Sequence, residues 1–302
     1  MLSLKQRLDQ LVVDRFVNVR TSPEHPELRL YKYAKKVFFK QLWNKHPDLM
    51  EARGTVFHED GRLISYPFTK VFNDGENDAG FPDEQQVTAV EKINGFLGVV
   101  ALYENELLIT TTGTFDSDYV ALAKQYLQTA EVLNLCRLYP TLTFCFEICS
   151  PSNPHIVPQK EGAYLIGARE NELDSPRIEE RSLDMMYQRY LEQHAGFYRP
   201  RWCIAEYGEV KRWCRFDVKH EGFMCYVGQQ AVKVKSRVYL TKKFLARSKK
   251  DFSLIWSDPQ EALKTFAEEF SDALQRLPTI ISCSDWHAAT EQARLEILNR
   301  LF

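Results

Sequence analysis

Three short segments, far apart in the chain, carry side chains that are chemically useful only together: Lys92-Ile93-Asn94-Gly95, Glu221-Gly222-Phe223-Met224 and Lys233-Val234-Lys235-Ser236. Lys233 and Lys235 are two residues apart in an alternating run, so on a strand both side chains leave by the same face. A lysine one turn before a glycine, an acidic strand start and a pair of same-face lysines are the parts needed to attack a nucleoside triphosphate. The fold must therefore bring segments from both halves of the chain to one site.

Lys92 is the expected nucleophile. An amine attacks an α-phosphate only when unprotonated, so nearby cations are expected to depress its pKa, and the departing pyrophosphate needs positive charge of its own. Lys233 and Lys235 are placed to supply both. By itself Lys-x-x-Gly is common, and a lone copy reads as a solvated lysine before a turn. Its company is more specific. Upstream lie Glu51-Ala52-Arg53-Gly54-Thr55-Val56-Phe57 and Pro67-Phe68-Thr69-Lys70-Val71-Phe72-Asn73, and between the nucleophile and the acidic strand lies Phe144-Cys145-Phe146-Glu147-Ile148-Cys149-Ser150-Pro151. Glu147 is the sharpest single-residue anomaly, because an unpaired carboxylate in so apolar a strand is costly. It needs a partner.

With these segments, the sequence from residue 28 to residue 245 resembles the RNA ligases of the covalent nucleotidyltransferase superfamily, especially the phage RNA-ligase-one type and the ligase module of fungal tRNA ligases. The resemblance implies an α+β nucleotidyltransferase fold with mixed and antiparallel sheets. It also implies three chemical steps. ATP would give a lysyl-adenylate and pyrophosphate, AMP would pass to an RNA 5′-phosphate, and a 3′-hydroxyl would displace the AMP to seal the strand. On that resemblance Lys92 is the adenylated lysine, Gly95 the close-approach glycine, Arg53 and Lys70 contacts to AMP and its phosphate, and Glu147 the holder of the ribose. Glu221 corresponds to the acidic residue associated with a divalent metal and with orienting the lysine, and Lys233 and Lys235 to the final lysine pair on the phosphates. The cofactors implied are ATP and Mg2+ or Mn2+, the metal held mainly by nucleotide phosphates.

The chain also departs from the phage pattern. Those members read Lys-Glu-Asp-Gly-Ser at the nucleophile, whereas Asn94 and Phe96 stand here, the asparagine being closer to the tRNA-ligase version. Phage relatives carry a lysine just before the glycine of Thr110-Thr111-Thr112-Gly113-Thr114, where this chain has Thr112. The alternatives are a DNA ligase or a GTP-dependent capping guanylyltransferase within the superfamily, and outside it a non-catalytic RNA-binding protein that kept the fold. Mere RNA binding has no need of an amine nucleophile with cations set for a leaving pyrophosphate.

A chain of 302 residues that is 44% hydrophobic and 13% aromatic can build one sizeable core and a small appendage. Its net charge of −2 argues against a nucleic-acid partner until local density is considered. From Leu28 to Pro47 there are six Lys/Arg and no acid, and from Gln229 to Lys250 there are eight and again no acid. These stretches, with Lys35, Lys36 and Lys40 in the first and Lys242, Lys243, Arg247, Lys249 and Lys250 in the second, are expected to track RNA phosphates. The seven cysteines form no CxxC pair and read as reduced core thiols. No long apolar run is present, so a soluble cytoplasmic or nuclear protein without a membrane partner is expected. Neither a G-x-x-x-x-G-K-[ST] phosphate loop nor paired H-x-[ST] motifs occur, so end healing would fall to separate proteins.

Periodicity places a helix in residues 1–20, strands at Val37–Phe39, Ala52–Phe57 and Leu63–Tyr66, a hairpin of Phe96–Tyr103 with Leu107–Thr112, a helix over Tyr119–Cys136 and a buried strand carrying Glu147. The charge-rich stretch from Arg169 to Arg199, helical around Met185 to His194, is expected outside the pocket, and His155 is read as structural. Asp258-Pro259-Gln260-Glu261 starts a helix that Pro278 ends, followed by a second over Asp285–Leu301. The expected division is a nucleotidyltransferase domain over 1–245 and a small helical unit over 246–302.

Overall fold

The computed structural model describes residues 2–248, 250–266 and 270–302. Three sheets organise the chain. The first is an antiparallel run of β1 (Val17–Thr21), β2 (Leu28–Tyr33), β3 (Arg53–His58) and β4 (Leu63–Ser65), in that order. It is preceded by α1 (Leu4–Val13), whose Ser3 and Gln6 form a reciprocal capping box.

The second sheet is built on β9 (Leu142–Cys149), the strand that carries Glu147. It lies between β7 (Phe96–Tyr103) and β10 (Gly162–Glu170), with β8 (Glu106–Thr110) and β11 (Phe197–Tyr198) at the two edges. β7, β8, β9 and β10 pair antiparallel, while β11 joins β10 in parallel. Phe144, Phe146 and Ile148 face one way from β9, as a period of two requires, into a core closed by α3 (Asp118–Leu127) and α4 (Ala130–Leu138). Glu147 is on the opposite face.

The third sheet runs β12 (Trp202–Glu206), β6 (Gln86–Glu91), β13 (Gly222–Val227), β14 (Gln230–Lys235), β5 (Phe72–Asn73), all antiparallel except for the β14–β5 pair. Its β6 leads into Lys92, β13 follows Glu221, and β14 carries Lys233 and Lys235. The register sets Gly222 opposite Lys235 and Met224 opposite Lys233, so all three segments singled out in the sequence meet on adjacent strands. A charge network bridges sheets two and three, Arg199 donating to the Leu165 carbonyl of β10 and Asp184 accepting from the Trp202 indole of β12, each at 2.7 Å. Glu180, at the start of α5 (Glu180–Tyr190), receives Arg177 at 2.7 Å and Arg199 at 2.6 Å, and Arg199 also reaches Asp184 at 2.9 Å.

Several expected elements differ. Val37–Phe39 lies in a short helix, α2 (Lys35–Phe39), because a three-residue apolar run does not discriminate strand from helix. The expected helix over 119–136 is two helices: Thr129 is extended, and its hydroxyl accepts from the Val132 amide at 3.3 Å, starting α4 afresh. After α6 (Tyr207–Phe216), α7 (Arg237–Arg247) and α8 (Leu254–Ser257), the expected C-terminal helices are likewise broken. The first comprises α9 (Pro259–Thr265) and α10 (Ser271–Arg276), with Phe266 extended. The second comprises α11 (Cys283–Ala288) and α12 (Glu291–Asn299), recapped by Thr290.

These C-terminal helices share one apolar core with Tyr239, Leu245 and Ala246 of α7 and with Ile156 and Val157. A boundary at residue 245 therefore crosses a continuous core. Among the described residues no helix is long and apolar enough to cross a membrane.

Candidate active site

A cavity of 640 Å³ opens where the three sheets meet, lined among others by Arg53 from sheet one, Leu97, Glu147 and Ile166 from sheet two, and Val90, Met224, Tyr226, Lys233 and Lys235 from sheet three. That volume lies within the range of ordinary small-molecule sites. Lys92 leaves β6 onto its wall, and its backbone amide donates to the Gly222 carbonyl at 2.9 Å, so the nucleophile segment is tied directly to the acidic strand.

Lys92 Nζ lies 2.9 Å from Glu221 Oε2. The other carboxylate oxygen, Oε1, is 3.4 Å from Lys235 Nζ. Glu221 is only 4% exposed, so burial raises its pKa, yet Lys92 and Lys235 outweigh that and hold it below the ordinary range. The effect on Lys92 runs opposite to the sequence expectation. Burial lowers its pKa, but Glu221 and Glu147 more than offset this and the net direction is upward. The two carboxylates outweigh burial and the Arg53 cation, and so favour the charged form of the amine.

Lys233 is the depressed cation. Burial, followed by Arg53, Lys70, Lys92 and Lys235, brings its pKa down to about 7. Lys235 is also lowered by burial, with Glu221 acting against the shift. Glu147, the carboxylate in the apolar strand, has found the partner it needed: its Oε1 accepts from the Gly95 amide at 3.1 Å. Burial raises its pKa, with Lys92 opposing. Gly95 has to be glycine here, since a Cβ would meet the Ile148 carbonyl oxygen at 2.3 Å. Lys92, Gly95, Glu147 and Glu221 are thus mutually positioned around one amine, with Arg53 and Lys233 facing the same space.

A sequence model of an RNA ligase family matches residues 51–239, the stretch that builds this cavity. The chain belongs to the RNA ligase family. A curated member, RNA ligase 1 of bacteriophage TS2126, is 29% identical over 184 residues, covering 55% of this chain and 45% of the phage protein. The aligned part is thus less than half of that relative's length. An archaeal ATP-dependent RNA ligase superposes over 98% of this chain and 75% of its own with a TM-score of 0.56 at 17% identity. A chain from Aquifex aeolicus described provisionally as an ATP-dependent DNA ligase gives 0.55 over 99% and 77% at 13% identity. At such identities the two structures speak to the ligase fold alone.

Within this RNA ligase family member, Lys70 lies near enough to Lys233 to help lower its pKa, but it does not line the cavity. Its ammonium contacts the Val71 carbonyl at 3.0 Å, lies 4.0 Å from the Phe72 ring centre and is 3.6 Å from Glu76, so it sits behind the cavity wall instead of on it. The second basic stretch is also used differently from expectation. Lys242 is buried and lies 5.5 Å from the Phe302 ring centre, Arg247 pairs with Glu291 at 2.6 Å, and among the described residues of this later group Lys243 alone lines the cavity. Lys249 falls outside the described residues.

Other residues escaped the sequence reading. Asn94 donates to Glu221 Oε2 at 2.8 Å and accepts from the Val157 amide at 2.9 Å, clamping the nucleophile loop to the acidic strand and to the Val157 segment. The charge-rich stretch from 169 to 199, expected outside the pocket, contributes Arg169, Asp174, Ser175 and Arg177 to its lining. Arg169 pairs with Glu51 at 3.1 Å and so holds the segment leading to Arg53. His155, read as structural, also lines the cavity, with its pKa lowered by burial. The Asn94 role was foreshadowed by its place between Lys92 and Gly95; the arginine partners are long-range and left no local pattern.

Proposed function

We propose that this protein is an ATP-dependent RNA ligase that seals 5′-phosphate and 3′-hydroxyl ends through a lysyl-adenylate on Lys92. The observation that carries the reading is the placement of Lys92 Nζ on the wall of a nucleotide-sized cavity, 2.9 Å from buried Glu221 and facing the Arg53 and Lys233 cations. In the first step Lys92 Nζ attacks the α-phosphorus, the bond to the bridging oxygen breaks, and pyrophosphate leaves toward Lys233 and Lys235. Glu221 holds the ammonium before reaction and is the nearest acceptor for its proton. Glu147, fixed by the Gly95 amide, accepts a hydrogen bond from the ribose. In the second step an RNA 5′-phosphate oxygen attacks the AMP phosphorus, the P–N bond breaks, and Lys92 departs as an amine after its nitrogen takes a proton from water.

The fit of a divalent cation can be judged from the donor set. Both Glu221 oxygens face lysines, and among the described residues no group of three acidic, histidine or cysteine side chains could cage a metal. Mg2+ or Mn2+ would therefore come with the triphosphate, Glu221 being the residue that would help hold it, and would supply positive charge that favours the free amine.

The test is incubation of the pure protein with ATP or GTP labelled at the α-phosphate, followed by chase with matched RNA and DNA ends. A covalent adduct from ATP that is discharged by RNA is expected. Adduct from GTP alone would point to capping chemistry, and equal sealing of DNA would remove the RNA assignment.

A further inference from the structure

A second cavity, of 430 Å³, adjoins the first and shares Leu97 and Thr112 with it. Its walls carry two cations from sheet one, Arg20 and Lys32, the hydroxyl-rich turn Thr111-Thr112-Gly113-Thr114, and two aromatic rings, Phe96 and Tyr119. Asp116 is the acid among them; its Oδ1 accepts from the Thr114 hydroxyl at 2.8 Å, and it makes no ion pair with Lys32. Nothing in the lysyl-adenylate step uses this space.

Lys32 is what gives it chemistry. β2 is paired with β3 so that Lys32 lies opposite Arg53, and its side chain crosses the Gly113 position: a Cβ there would meet Lys32 Nζ at 2.5 Å and Cδ at 3.0 Å. The ammonium therefore occupies space beside Thr112-Gly113. Partial burial, with Arg53, Arg20 and Lys35 nearby, lowers its pKa, and no carboxylate contributes to that shift. A cation that protein acids do not neutralise, above a turn of threonines, suits a phosphate. Tyr119 packs edge-to-face on Phe96, with centroids 5.1 Å apart and planes at 71°, and is itself half exposed, so its ring can stack on an unpaired base.

We propose that this second cavity receives the 5′-phosphorylated end of the RNA strand, Lys32 holding the terminal phosphate over Thr112-Gly113 while the exposed ring of Tyr119 stacks on the first base. The shared wall at Leu97 and Thr112 sets that phosphate beside the compartment where Lys92 holds AMP, which the second step needs. The assignment rests on the ligase reading, and its test must separate the two.

Wild-type protein, Lys32→Ala, Lys32→Arg and Gly113→Ala are compared for adduct formation with labelled ATP and for transfer of AMP to a 5′-phosphorylated oligoribonucleotide. Binding of that oligonucleotide is set against its 5′-hydroxyl counterpart. The Gly113→Ala change displaces only the flexible end of Lys32, so it perturbs the site without burdening the fold. Wild type should prefer the phosphorylated end by about tenfold, a charge-assisted contact's worth. Lys32→Ala and Gly113→Ala should lose that preference, and their transfer should fall at least about tenfold further than their adduct yield. Lys32→Arg should retain most of both. A parallel fall of adduct and transfer, or an undiminished phosphate preference in Lys32→Ala, overturns the assignment; absence of adduct from wild type instead overturns the ligase reading beneath it.

Discussion

Lys233 and Glu221 are the residues whose environments make the sharpest demands. With its pKa brought down to about 7 by burial and neighbouring cations, Lys233 is half neutral near physiological pH in the free protein. An arriving triphosphate favours the charged form, so ATP binding is expected to take up a proton and to weaken as pH rises above 7. Calorimetry in two buffers of different ionisation heat reads that uptake directly, and Lys233→Met should lose it. The same shift has a stability sign. Between pH 7 and the ordinary lysine range the unfolded chain binds more protons than the folded one, so Lys233 makes stability rise with pH across that window and depresses it below. Lys233→Met should thus melt higher than wild type at neutral pH while adenylating poorly, with adenylation about 10²-fold down as for a lost electrostatic stabiliser. Glu221→Gln is the converse case: it strands two lysines in a buried site and should cost about 3 kcal/mol in urea unfolding.

At the scale of elements, the junction of the Lys92–Gly95 loop with β9 is the tightest fit in the site. Gly95→Ala drives a methyl into the Ile148 carbonyl and moves the amide that Glu147 accepts from. It should cost about 2 kcal/mol by the measure of overpacked cores and reduce adduct yield more than Lys233→Met does. Unimpaired adduct formation in Gly95→Ala would contradict the close approach. β7 and β9 were legible from alternation and an apolar run, and the expected β7 coincides with the strand at Phe96–Tyr103. Helix ends were not, because Thr129 and Thr290 look in sequence like any helical threonine and become caps only once the chain turns there. In the site, the strand alternation of Lys233 and Lys235 and the Lys92–Gly95 spacing carried their own information. The position of Lys70 did not, since what turns it aside is Phe72 together with Glu76.

The whole molecule depends on how sheets two and three are held around the cavity. Glu180, 2% exposed and gripped by Arg177 and Arg199, is the buried ionic link between them. Glu180→Ala should cost about 3 kcal/mol, whereas Glu261→Ala, which breaks an exposed pair with Lys264, should cost less than about 0.5 kcal/mol. Comparing the two in urea separates a link that maintains the cavity from ordinary surface charge. The charge-rich segment that supplies this link was invisible as part of the site because its value lies in contacts distant in sequence. The measurement that tests the central claim most directly is covalent labelling by α-phosphate-labelled ATP in wild type, Lys92→Ala and Lys92→Arg, with the labelled residue located by mass spectrometry. Wild type should carry an acid-labile, alkali-stable adduct on Lys92, and both variants should carry none, since a guanidinium stays protonated and cannot attack. Undiminished labelling of Lys92→Arg, or an adduct mapped to another residue, would contradict the account.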